Sequence, residues 1–288
     1  GAGMGYLAGD MLKYLKARGK ERGARGNRTF FEHLRYSIIE LNPSIQSHQK
    51  MLLKEYADTI EWHYAVHELE PVVGCFISNE LLDAFPVRML EMDDRLMEIY
   101  VTEENGHFIE LKKPCTPEVL MYAKDFGIVP SRGYRTEVNL RIRDWLKDIG
   151  SKLLEGFVLT IDYGYSAFDY YSEDRNRGTL RCYYQHQAKE DPYLHVGEQD
   201  MTAHVNFSSL NVWGKDLGLN TVGFCSQGTY LVSLGIDEVL SEFFSRVPDP
   251  FELAKIKSLI LPQGMGESHK VIVQHRGDGN PVLRGFSL

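Results

Sequence analysis

The chain begins GAGMGYLAGD, with Gly1, Gly3 and Gly5 alternating ahead of an apolar-periodic run, MLKYLK. A glycine-rich turn before a helix lets backbone approach a ligand closely. The helix beyond it presents free N–H groups and the positive end of its dipole. The spacing departs from the dinucleotide fingerprint G-x-G-x-x-G, because position 6 is Tyr6, and no Lys-Ser/Thr pair completes a P-loop. Glu40 ends the run YSIIEL, well beyond the ~20-residue offset of that fingerprint's acid. A carboxylate ending a second strand suits ribose hydroxyls better than a phosphate. Together these features favour a ligand with a ribose and no phosphate, such as S-adenosylmethionine, over a nicotinamide dinucleotide. A plain tight turn is the alternative.

A second group of polar residues follows in SNELLDA: Asn79, Glu80 and Asp83, just past the run VVGCFIS. Open α/β sheets bind ligands beyond the carboxyl ends of their strands, so these side chains are candidates for a site. The same letters also fit the cap of a following helix, led by Ser78 or Asn79. Asp162 and Tyr163 end another apolar run, FVLTIDYG, and would line the same crevice or stand solvated at a strand end. QDMTAHV holds Asp200, Thr202 and His204, and His204 offers a base, an orienting group or a structural histidine. His186, His195 and His204 lack the tight ligand pairs of metal sites, and no metal is expected. GMGESHK, residues 264–270, precedes a strand rather than a helix, which makes it a turn and not a phosphate loop.

These residues need a scaffold. Leu7, Met11, Leu12 and Leu15 share one face of a helix over Met11–Ala17 that fades into a basic loop, Lys16–Arg28. YSIIEL reads as a buried strand, followed by a helix with Asn42 as cap and Pro43 in its first turn. MLEM, LMEIYV and HFIEL suggest a small antiparallel element, VNLRIRDWLKDIGSKL a helix, and SHKVIVQHRG a final strand. Strands alternating with helices imply a doubly wound α/β sheet. The expected divisions are a cofactor half over 1–111, a helical insertion over 112–155, and the rest of the core over 156–288. The last carries a substrate-side insertion at about 165–205.

Of 288 residues, 43% are hydrophobic and 25% charged, and the net charge is -8, opposite in sign to that of a phosphate-backbone binder. Nucleic acid is therefore not an expected partner. Four dispersed cysteines without a CxxC pair read as reduced thiols. No apolar run approaches the ~20 residues of a membrane span.

Taken in order, GAGMGYLAGDML, YSIIELNPSIQSHQ, ISNELLDAFPVR and IDYGY…GTLRCYYQH…GEQDMTAHVNF resemble a family of S-adenosylmethionine-dependent methyltransferases. That family (MidA-like) includes bacterial members and a mitochondrial assembly factor for respiratory complex I. The last two motifs are the most specific. The resemblance implies a mostly parallel, Rossmann-like class I methyltransferase sheet. It also implies that a first strand, with its terminal acid, normally precedes the loop, so the chain is expected to be truncated there. Gly1, Gly3, Gly5, Leu7, Glu40 and Asn79 would then hold the cofactor. Glu80 and Asp83, aided by Asn79 and His204, would bind an arginine guanidinium of a partner protein, a respiratory-complex subunit being one candidate. Residues 178–186 would form a lid or peptide groove, or pack Leu180, Tyr183 and Tyr184 into the core. The compartment would be the cytoplasm in a bacterium or the mitochondrial matrix in a eukaryote. The rival readings are a non-catalytic assembly chaperone of the same fold, a small-molecule methyltransferase and a nucleotide-dependent oxidoreductase.

Overall fold

A computed structural model of the chain describes residues 1–22, 30–185, 187–189, 191–244 and 249–287. They form two compact units, Gly1–Val72 and Val73–Leu288.

In the first unit, α1 (Tyr6–Arg22) starts directly after the glycine loop. It is longer than expected. Lys16 to Arg22 continue the helix rather than opening a loop, because Lys, Arg and Glu are good helix formers and a lone Gly19 costs only about 1 kcal/mol. The rest of the expected loop, 23–29, lies outside the described residues. β1 (Tyr36–Ile39) leads into α2 (Pro43–Leu52), and β2 (Ile60–His63) pairs parallel to β1. Asn42 caps α2, its Oδ1 accepting from the N–H groups of Ser44 at 2.9 Å and Ile45 at 3.4 Å. Ala8 and Leu12 of α1 pack on Ile38, Leu53, Tyr56 and Ile60. Burial of this apolar face, more than helix propensity, holds α1 in place.

The second unit opens with β3 (Val72–Asn79), whose first residue closes the preceding unit. A meander follows: β4 (Arg88–Met92), β5 (Leu96–Glu104) and β6 (His107–Pro114). After α3 (Pro117–Asp125), β7 (Arg135–Val138) returns to pair antiparallel with β4, giving the sheet order β6-β5-β4-β7. α4 (Arg141–Lys152) buries Ile142, Leu146 and Ile149, spaced to share one helix face. β8 (Leu153–Tyr165) is the long central strand. Beyond it come α5 (Ala167–Tyr170), the short strands β9 (Arg181–Tyr184), β10 (Gln187–Lys189) and β11 (Asp200–Thr202), and β12 (Val205–Asn206). The chain ends with α6 (Phe207–Asp216), β13 (Asn220–Ser226), α7 (Gln227–Leu234), α8 (Ile236–Phe244), α9 (Pro250–Ile260), α10 (Met265–Ser268) and β14 (His269–Arg276).

The central sheet runs β12-β8-β14-β13, with β3 also on β8. β12 is parallel to β8. β14 is antiparallel to both β8 and β13. Gly74 lies against Gly156 and Ser78 against Thr160, so β3 runs with β8. Four strands thus share a direction and one opposes them, which makes the sheet mixed. The stretch 112–155, expected as a helical insertion, holds α3 and α4 but also the end of β6, all of β7 and the start of β8.

Arg276 at the end of β14 donates to three backbone carbonyls, those of Gly150, Leu153 and Leu217. It satisfies the open C-terminal ends of α4 and α6 at once, where a cation also meets the negative end of each helix dipole. Arg276→Met should lower stability by about 3 kcal/mol, read from the midpoint of urea unfolding. An unchanged midpoint would mean that these carbonyls find water equally well.

Candidate active site

In the first unit, Gly3 and Gly5 have φ of +50° and +91°, a region that favours glycine. A Cβ on Gly5 would come within 3.3 Å of both Gln49 Cγ and Leu53 Cδ1. The loop is braced from below. Gln49 donates to the Gly3 carbonyl at 2.7 Å, and Trp62 donates to Gln49 at 3.0 Å. Glu40 follows β1 directly. Its Oε1 accepts from Asn42 N–H at 2.9 Å, and Oε2 has no partner among the described residues. A positive-φ glycine turn before a helix, with a carboxylate oxygen to spare at a strand end, fits an adenosine's ribose. Leu7 is half exposed at the start of α1.

In the second unit, the residues of SNELLDA do not start a helix. They form a turn into β4, which removes the capping alternative. Glu80 has φ of +44°, unusual for a residue with a side chain. The turn is held from four sides. Glu80 N–H donates to the Ile161 carbonyl at 2.9 Å, and Ala203 N–H to that of Asp83 at 3.0 Å. Asn139 donates to the Leu82 carbonyl at 3.0 Å. Asp162 accepts from the N–H groups of Leu81 at 3.2 Å, Leu82 at 3.0 Å and Tyr163 at 3.0 Å. Such a network over-determines a strained backbone position, as functional sites commonly do.

The turn faces a cavity of about 510 Å³ lined by Glu80, Asp83, Tyr163, Tyr183, Asp200, Thr202, His204, Ser268 and His269. Asp83 is 6% exposed. Its Oδ2 accepts a short hydrogen bond from the Tyr163 hydroxyl, while Oδ1 is buried with no partner. Glu80 Oε1 stands 3.5 Å from His269 Nε2, and His269 Nδ1 lies 3.1 Å from Ser268 Oγ. His204 is stacked on Tyr165 and meets the Tyr163 ring edge-on. Its Nδ1 and His269 Nε2 are also buried without a hydrogen bond. Of these, Asp83 Oδ1 and His204 Nδ1 have no partner, whereas His269 Nε2 has the Glu80 carboxylate at 3.5 Å; unpartnered buried polar atoms are expensive unless a ligand or water meets them.

Burial sets the electrostatics. It pushes the Asp83 carboxyl up, against the hydrogen bond from Tyr163. The contact with His269 holds Glu80 below the usual carboxylate range. Burial, with Arg175 and Arg181 nearby, lowers His204 to about 4, so it is neutral at neutral pH. Burial and then the charge of Asp83 raise Asp162 to about 7. This last shift makes a stability prediction. Below about pH 4 the carboxyl is protonated folded or unfolded; between about pH 4 and 7 only the folded chain keeps the proton. Stability from this group is therefore present at low pH and lost as pH rises to 7, by on the order of 2–4 kcal/mol. Asp162→Asn should remove that slope from urea unfolding measured between pH 4.5 and 8. A variant with the wild-type slope would assign it to other groups.

The model of the family described as "Putative S-adenosyl-L-methionine-dependent methyltransferase" matches residues 1–225. The chain belongs to this family. Two crystal structures from Burkholderia thailandensis share the fold with a TM-score of 0.84 and 31% identity, each covering 100% of this chain. One is a candidate methyl transferase bound to S-adenosyl-homocysteine, of which the chain spans 72%; the other is a native structure, of which it spans 75%. The mitochondrial protein arginine methyltransferase NDUFAF7 homolog of Caenorhabditis elegans is 26% identical over 191 residues, 63% of this chain and 42% of that relative's length.

Within this family member, Glu80, Asp83 and His204 line one cavity, joined by Tyr163, Asp200 and Thr202. Asn79 ends β3 beside them in sequence but is absent from the lining. Gly1, Gly3, Gly5, Leu7 and Glu40 belong to the other unit. Asp162 is fully buried and anchors the turn rather than lining the cavity or standing solvated. Tyr183 is part of the lining, while Tyr184 stacks on His195. His186 lies outside the described residues. Ser268 and His269 were not anticipated: their segment reads as a turn, and nothing local ties it to a carboxylate 189 positions earlier. Among the described residues no cluster of metal-ligating side chains occurs, and no helix is long and apolar enough to cross a membrane.

Proposed function

We propose that the chain belongs to a protein arginine N-methyltransferase that uses S-adenosylmethionine. The observation that carries this reading is the pairing of Glu80 with Asp83 on one cavity, with Asp83 Oδ1 buried and unpartnered. A guanidinium presents N–H donors in a planar fork, and two carboxylates can meet it along its edges. The family assignment supports the methyl donor, and the arginine methyltransferase among the relatives supports the substrate class.

S-adenosylmethionine, when bound, supplies a methyl group already activated on a sulfonium. The glycine loop and Glu40 would hold it, Asn79 being the further candidate contact that the family resemblance implies, and the chain's work is then alignment and exclusion of water. Glu80 and Asp83 hold the guanidinium. The attacking nitrogen must lose a proton, and in this reading Asp83 would take it. Its raised affinity for protons suits that task. Tyr163 fixes Oδ2, and Oδ1 is buried without a hydrogen bond. His204, uncharged, walls the cavity without repelling a cation.

The accompanying reading is a Rossmann-like class I fold with the divisions expected from sequence. The partner would be an arginine-bearing protein, a respiratory-complex subunit among the candidates, met in the cytoplasm of a bacterium or the mitochondrial matrix. The test is transfer of label from methyl-labelled S-adenosylmethionine to arginine peptides. Transfer that survives in Asp83→Asn would remove the carboxylate pair from the reaction.

A further inference from the structure

Four residues on the cavity, Tyr183, Asp200, Thr202 and His204, come from the segment that follows Gly178. That segment is a small three-stranded sheet, order β10-β9-β11, outside the central one. Something must hold it at the cavity, and the attachment is a buried carboxylate that the proposed chemistry does not use.

Glu137 of β7 is 1% exposed. Its Oε1 accepts from the Tyr170 hydroxyl at 2.5 Å, from Thr179 N–H at 2.9 Å and from the Thr179 hydroxyl. Oε2 accepts from Thr179 N–H at 3.1 Å. Thr179 Oγ1 in turn accepts from His204 N–H at 2.9 Å, and the Tyr170 hydroxyl contacts the His204 carbonyl at 3.0 Å. The His204 N–H is therefore tied to the carboxylate through the Thr179 hydroxyl, and the His204 carbonyl packs beside the Tyr170 hydroxyl that donates to the same carboxylate. Gly178, at φ +74°, lets the chain pass: a Cβ there would stand 2.3 Å from Glu137 Oε2. Arg135 N–H adds a bond to the Asn176 carbonyl at 2.9 Å. A buried carboxylate is stable only when so many donors meet it, so release of one would loosen the whole attachment.

We infer that Glu137 is a positioning residue: through Thr179 and Tyr170 it latches the segment after Gly178 and sets His204 at the acceptor cavity. This deepens the arginine reading and rests on it only for the activity arm of the test. The latch itself is read independently, from His204. That ring is kept neutral by burial, beside Arg175, Arg181 and His269. If the latch opens, the ring is hydrated and gains protons more readily.

The experiment is a histidine NMR titration of the wild-type chain, Thr179→Val, Thr179→Ser and Glu137→Gln, with acceptor and cofactor kinetics on the same samples. In the wild type His204 should titrate near 4. In Thr179→Val it should rise by about one pH unit or more toward the ordinary value, and Thr179→Ser, which keeps the hydroxyl, should restore it. KM for an arginine peptide should rise roughly tenfold in Thr179→Val, with S-adenosylhomocysteine affinity within about twofold. Should Thr179→Val fail to fold, Glu137→Gln carries the comparison, with a smaller rise expected because one carbonyl oxygen remains. An unmoved His204 titration in folded Thr179→Val or Glu137→Gln overturns the latch, whatever the activity. A shifted titration in a chain whose wild type transfers no methyl to arginine keeps the latch and sinks the arginine reading.

Discussion

Asp83→Asn and Glu80→Gln should each lower methyl transfer to an arginine peptide by roughly 1,000-fold, with S-adenosylhomocysteine affinity within about twofold of wild type. Asp83 is buried, so on the proposed reading its carboxylate would meet a guanidinium away from water, where a charge-assisted hydrogen bond is strongest. The amide of Asn keeps the shape and accepts from Tyr163, but it neither balances the cation nor takes its proton. Glu80 is more open to solvent and leans on His269, so its loss should act more on KM than on turnover. Steady-state kinetics with calorimetry on the same samples reads both. Parallel loss of cofactor binding and turnover would move these residues to a structural role, as would unfolding of the turn that Asp162 holds.

Glu40→Gln should weaken S-adenosylhomocysteine binding by about 10–100-fold, a loss of about 1.5–3 kcal/mol, with little change in stability. Oε1 is engaged with Asn42 N–H, and an amide oxygen can keep that bond. On the proposed reading, the substitution removes the second, charged acceptor offered to the ribose hydroxyls. Gly5→Ala should act in the same direction by another route. At φ +91° with Gln49 and Leu53 at 3.3 Å, a methyl strains the loop itself. Calorimetric titration checks both. Unchanged affinity in Glu40→Gln would take this acid away from the ribose.

Much of the scaffold was legible in the sequence because its signals are local. Asn42 and Pro43 announce α2, and the alternation in MLEM, LMEIYV and HFIEL announces the meander of β4 to β6. A sharp turn at the end of VVGCFIS is signalled by the polar run Ser78-Asn79-Glu80, though not the positive φ of Glu80. What stayed hidden depends on partners far away. Asp162 reads as a strand-end acid lining a crevice, yet it anchors backbone 80 residues earlier. Glu137, in RTEVN, is one acid among many until Thr179, 42 residues on, closes over it. His269 gains its meaning only when β14 is laid beside β8. Strand pairing across such distances has no short-range signature, whereas caps and turns do. The helix α1 shows the converse error: glycine and charge between Lys16 and Arg22 suggested a loop, but intrinsic helix propensity prevailed.

The central claim is that the cavity of Glu80 and Asp83 presents an arginine for methylation. The chain, incubated with methyl-labelled S-adenosylmethionine and an arginine-bearing peptide library, can be followed by hydrolysis of the peptides and amino-acid analysis. The account predicts label in NG-methylarginine, abolished by Asp83→Asn. Label on another side chain, or none from a chain that binds S-adenosylhomocysteine with micromolar affinity, would contradict it.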